Sequence, residues 1–78
     1  MPLLIVAHMV LNVRAHGPNI RHRREQSGYG LRRFAALVGV SPAHLSRIER
    51  GQRGAQPEVI KRIAAALNAE IAEIADLS

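Results

Sequence analysis

A chain of 78 residues and 8.5 kDa holds one small domain, with a core too small to spare side chains for a large active-site cleft. The absence of cysteine excludes disulfide staples, Cys-ligated zinc and thiol redox chemistry, and an apolar fraction of 47% excludes compositional disorder. Net charge is +5 but unevenly spread: residues 1–54 carry nine basic and two acidic groups (+7), residues 55–78 two basic and four acidic (−2), so one end of the molecule suits a polyanion.

Residues 3–13 read LLIVAHMVLNV. Leu3, Ile5, Ala7, Met9, Leu11 and Val13 share one parity and are all apolar, a period of two that predicts a strand. Nothing later in the chain reads as a strand. An arm over residues 1–17 is therefore expected to pair with its copy in a second subunit, with Leu3, Ile5, Met9 and Leu11 in the dimer contact. The apolar run Leu3–Leu11 is too short to span a bilayer as a helix, and Met1-Pro2 supplies no basic leader. A cytoplasmic protein without membrane contact is expected.

Residues 14–17 read as a linker into a domain over residues 18–78. A first helix is predicted from Pro18 to Ser27, ending at Gly28 and anchored by Ile20. The second, Leu31–Val38, places Leu31, Phe34, Ala35 and Val38 at i, i+3, i+4 and i+7, with Gly39 closing it. Ser41-Pro42, a capping hydroxyl followed by proline in the first turn, opens a third over Pro42–Arg50 with Leu45 and Ile48 inward. A fourth runs Pro57–Leu67 on Ile60, Ile63, Ala64 and Leu67, and a fifth Ala69–Ala75, carrying Ile71 and Ile74. Only Gly39-Val40-Ser41 separates the second and third helices, a turn short enough for a steep crossing. The outer face of the third helix is then free to enter a major groove, which is wide enough for a helix.

The stretch FAALVGVSPAHLSRIERG combines an alanine in the second helix, a Gly-Val turn, a Ser cap and I-E-x-G at the end of the third. With its flanks, from about Ile20 to Ile74, it resembles the Cro/repressor-type (XRE-like) helix-turn-helix DNA-binding domain. The resemblance implies an all-α, five-helix, lambda-repressor-like fold, to which the N-terminal arm is an addition. It implies base contacts from Pro42, Ala43, His44, Ser46 and Arg47. Arg47 is the strongest reader, because a guanidinium bonds guanine O6 and N7 together. Phosphate contacts fall to the rim: Arg32 and Arg33, Arg50 and Arg53, and the backbone N–H groups of Gly30 and Leu31. Leu31 departs from the family, where many members carry a glutamine. Arg24 and Glu49 stand where relatives pair a buried arginine with a glutamate, and Ile71 and Ile74 where many relatives dimerise.

The implied function is a sequence-specific, double-stranded-DNA-binding transcriptional regulator, a dimeric repressor that reads the major groove with helix 42–50. Two alternatives share the DNA-binding domain: an antitoxin whose arm, residues 3–13, adds a strand to a protein partner, and a controller protein of a restriction–modification operon. Catalysis is disfavoured, since Ser41, His44, Ser46 and Glu49 lie on one short helix or its cap. The histidines His8, His16, His22 and His44 include no i, i+4 pair, so neither a metal nor another cofactor is expected.

Overall fold

The computed structural model describes residues 13–77, so the predicted arm contacts Leu3, Ile5, Met9 and Leu11 lie outside the described residues. In chain order the elements are β1 (Val13–Ala15), α1 (Gly17–Gln26), α2 (Leu31–Val38), α3 (Pro42–Glu49), α4 (Pro57–Leu67), α5 (Ile71–Ile74) and β2 (Ala75–Leu77). The domain is helical, with a small two-stranded sheet. No helix among the described residues is long and apolar enough to cross a membrane.

The helix starts follow local chemistry. Pro57 lies in the first turn of α4, and its fixed φ matches the helix while its missing N–H leaves no bond unmade. At the other end Asn68 takes a left-handed φ of 52° and turns the chain back, Ala69 N–H reaching the Ala64 carbonyl at 2.9 Å. The apolar stripes converge on one core. Ile20, Phe34, Val38, Leu45, Ile48, Ile60, Ile63 and Ile74 are its largest fully buried side chains. Burial of each stabilises the fold by roughly 1.5–3 kcal/mol. Tyr29 closes one side, its ring centroid 5.3 Å from that of Phe34.

The two chain ends depart from the sequence reading. β1 pairs within the chain, antiparallel to β2, in the register Val13↔Leu77, Arg14↔Asp76 and Ala15↔Ala75. The expectation that nothing later forms a strand is thereby corrected. Ala75, expected as the end of the last helix, is extended at φ −151° and ψ 151°. His16 N–H continues the tie with a 2.8 Å bond to the Ile74 carbonyl. Residues 13–17, read as arm and linker, thus pack as part of the domain. Of the two residues expected at a dimer contact, Ile74 is 0% exposed and belongs to the core, while Ile71 is half-buried against that core.

Gly17 explains how α1 approaches the end of α3. It is buried, and a Cβ built on it would lie 2.4 Å from the Ile48 carbonyl oxygen and 2.5 Å from that of Glu49. Both neighbours are backbone and cannot rotate aside. Gly17→Ala is therefore expected to push α1 away from α3 and destabilise the domain by about 1–3 kcal/mol, the usual cost of overpacking. Thermal unfolding checks this: at about 4–8 °C per kcal/mol for a domain of this size, the melting temperature falls measurably, and an unchanged value removes the close-approach role.

Candidate nucleic-acid interface

The turn between α2 and α3 is set by two residues. Gly39 adopts φ +77° at the end of α2, and Val40 N–H bonds the Ala35 carbonyl at 3.0 Å, which satisfies a free carbonyl of the last turn. Ser41 then caps α3, its Oγ accepting from His44 N–H at 3.1 Å. With its first turn closed by its own side chain, α3 presents one face inward through Leu45, Ile48 and Glu49. Pro42, Ala43, Arg47 and Arg50 are exposed on the outside, and Ser46 is half-buried beside them.

Arg47 takes part in no ion pair among the described residues, so its guanidinium is free toward solvent. His44 is placed differently. It is half-buried at a groove between the α2–α3 turn and the loop before α4, and its Nε2 is fully buried with no hydrogen-bond partner. Pro42 and Ala43 offer only apolar surface. Arg32 and Arg33 stand exposed on the first turn of α2, beside the exposed Gly30 that precedes it. Leu31 is half-buried at the same end, and Arg53 is exposed in the loop after α3.

Beneath this surface lies a buried ion pair. Arg24 Nε donates to Glu49 Oε2 at 2.7 Å and Nη2 to Oε1 at 3.0 Å, a two-pronged contact between α1 and α3. Nη1 donates to the Tyr29 carbonyl at 2.8 Å and so includes the α1–α2 loop. The hydrogen bond to Glu49 holds the Arg24 guanidinium above its already high ordinary pKa, against the opposite pull of burial. A raised pKa of this kind contributes stability that is lost only as pH rises past the arginine range, so the pair works unchanged at physiological pH.

Beside the pair is a cleft of about 180 Å³ lined by Arg21, Arg24, Leu31, Ser46, Glu49 and Arg50. It joins the outer face of α3 to the start of α2. Arg21 was absent from the sequence-derived set. A lone arginine on the first helix carries no local motif, and only the crossing of α1 over α2 and α3 brings it here.

Residues 17–77 match the model of the helix-turn-helix domain family. The chain belongs to that family. It is 36% identical over 61 residues to the HTH-type transcriptional regulator SlrR of Bacillus subtilis (strain 168), a match covering 77% of this chain and 40% of SlrR. Among solved structures it is similar to the clp gene regulator ClgR of Corynebacterium glutamicum, with a TM-score of 0.72 and 35% identity over 77% of this chain and 64% of ClgR. It is also similar to SinR, the master regulator for biofilm formation, solved in complex with DNA, with a TM-score of 0.67 and 28% identity over 72% of this chain and 90% of SinR. The chain thus spans less than half of the curated relative.

In this helix-turn-helix domain the ion pair binds the outward helix to the body. Glu49→Ala leaves Arg24 buried without its carboxylate and is expected to destabilise the domain by about 3–5 kcal/mol. Replacing both residues with apolar ones of similar volume, Arg24→Met with Glu49→Leu, should recover most of that loss. Guanidinium titration of the single and double variants checks this, and a double variant no more stable than the single one would show that the pair's geometry itself is required.

Proposed function

We propose that the chain is a sequence-specific, double-stranded-DNA-binding transcriptional regulator, not an enzyme, and that it acts as a dimeric repressor. The observation that carries this is the free guanidinium of Arg47 at the centre of the outer face of α3, a helix whose cap and ion pair hold it rigid. Arg32, Arg33, Arg50 and Arg53 surround that face, and opposite charge on this scale belongs to the phosphate backbone. In this reading phosphate contacts from the rim fix the register, as do the N–H groups at the start of α2. Arg47 then reads a guanine, Ala43 and Pro42 meet a thymine methyl, and Ser46 bonds a neighbouring base or phosphate.

SinR, a protein of similar fold, is captured with DNA, and the names of SlrR and ClgR describe gene regulators. Both support the reading. Dimerisation follows from the poverty of the reading face. One eight-residue helix with a single long polar reader discriminates weakly, and two copies on half-sites about 34 Å apart double the information.

Selection from a random duplex pool at physiological salt tests this. A two-fold symmetric consensus with a guanine in each half-site is expected, and binding without any consensus would overturn the regulator reading. Arg47→Ala should then cost about 1–3 kcal/mol on the consensus and relax preference at that one position. Equal weakening on every sequence would reduce Arg47 to a phosphate contact.

A further inference from the structure

The three arginines of α1 are committed to different extents. Arg24 is the most engaged: Nε and Nη2 go to Glu49 and Nη1 to the Tyr29 carbonyl, so each guanidinium nitrogen has an acceptor inside the domain. Arg23 Nη2 lies 2.8 Å from Glu73 Oε2 on α5, an ion pair that holds it against that helix. Arg21 has only Glu25, one turn along its own helix, at 3.6 Å, with both side chains more than half exposed. An exposed pair of this kind is weak and yields to a stronger anion.

Arg21 also stands at the cleft between α1, the start of α2 and α3, and so does Arg50. Arg50 Nε donates to the Ser46 carbonyl at 3.3 Å, which lays its side chain back along α3 and leaves its terminal nitrogens for a ligand. Three cations and one anion line the cleft, a balance of +2. The anion, Glu49, already accepts two hydrogen bonds from Arg24. Leu31 adds a wall with no polar side-chain atom, so the side-chain donors without a carboxylate partner inside the cleft are Arg21, Arg50 and the Ser46 hydroxyl. A volume of about 180 Å³ holds a phosphate group and waters around it, each water taking ~30 Å³.

We propose that Arg21 is a positioning residue for DNA: with Arg50 it grips one backbone phosphate in this cleft and so sets how α3 lies in the groove. The proposal rests on the DNA-binding reading above and adds to it a residue and a site. The planar guanidinium fork suits two oxygens of a phosphate. Ser46 belongs both to the cleft wall and to the outer side of α3, so a phosphate held here lies next to the bases that Arg47 would read. On binding, Arg21 exchanges Glu25 for the phosphate.

The test uses the full chain, the selected consensus duplex and an unrelated duplex, with affinity measured by fluorescence anisotropy between roughly 50 and 200 mM salt. Arg21→Ala should weaken both duplexes by the same factor and lower the slope of log affinity against log salt by up to about 0.9, the value of one phosphate contact, Arg50 retaining its share. Arg23→Ala should leave the slope unchanged, its partner being Glu73. Duplexes carrying a neutral methylphosphonate at one position at a time locate the contact. The wild-type chain should lose affinity at a phosphate beside the Arg47 base, and Arg21→Ala, which keeps Arg50 there, should lose less at that position. A wild-type slope in Arg21→Ala, or a methylphosphonate penalty that persists undiminished at every position, overturns the proposal. Failure of the unmutated chain to bind either duplex overturns the DNA-binding reading itself, and the proposal with it.

Discussion

A buried carboxylate in the last turn of the outward helix is a liability unless something neutralises it. Glu49 occupies that position, with its side chain only 4% exposed. Left alone, it would carry an uncompensated buried charge and repel phosphate from the adjoining cleft. Arg24 resolves both problems through two short hydrogen bonds. Those bonds join α1 to α3, and the third arm of the same guanidinium holds the loop that leads into α2. One side chain thereby fixes the relative placement of three helices. Gly17 acts at the other end of α1, where the lack of a side chain lets the helix meet the carbonyls that finish α3. The outward helix is clamped at its end by a charge pair and a close backbone approach, and at its start by the Ser41 cap.

The rest of the fold supplies a rigid mount for that clamp. Eight large side chains are fully buried in a chain this short, so the margin for loose elements is small. The β1–β2 ladder meets that need where the chain enters and leaves the domain. Three residue pairs and the bond from His16 N–H to the Ile74 carbonyl tie the start of α1 to the end of α5. A two-stranded ribbon is marginal by itself. Here Ala75 is buried in the core and Ala15 packs against it, so the ribbon is held by the helices as much as it holds them.

Much of this was legible where one local signal sufficed. Ser41-Pro42, Gly39 and Pro57 mark helix ends whatever the tertiary context, and α2 and α4 run as their periodicity indicates. What escaped depends on partners distant in sequence. Ala75–Leu77 has neither the length nor the alternation of a strand and becomes one only because Val13–Ala15 lies beside it. Ile71 and Ile74 sit three apart on a four-residue helix, too short for periodicity to say which is sealed in the core. His44 reads as a surface residue of the third helix, yet it is half-buried, with its Nε2 sealed from solvent beside the groove it shares with the loop before α4. Arg21 and Arg23 are indistinguishable as letters. Glu73, fifty residues on, engages Arg23, while Arg21 has only the exposed Glu25 of its own helix.

That difference between two neighbouring arginines shows how a domain this small separates holding from reading. Cations that meet carboxylates inside the molecule, Arg24 with Glu49 and Arg23 with Glu73, brace the helices. Arg32, Arg33, Arg47, Arg50 and Arg53, on α3, the loop after it and the start of α2, are exposed and take part in no ion pair among the described residues. Charge that is satisfied internally contributes little to an external field, so the count of arginines overstates the interface and their pairing defines it. On that surface the side chains able to discriminate bases are few, whereas those able to hold phosphate are many. Such a balance suits the proposed regulator, which would first engage a duplex electrostatically at any sequence and then settle where Arg47 meets a guanine.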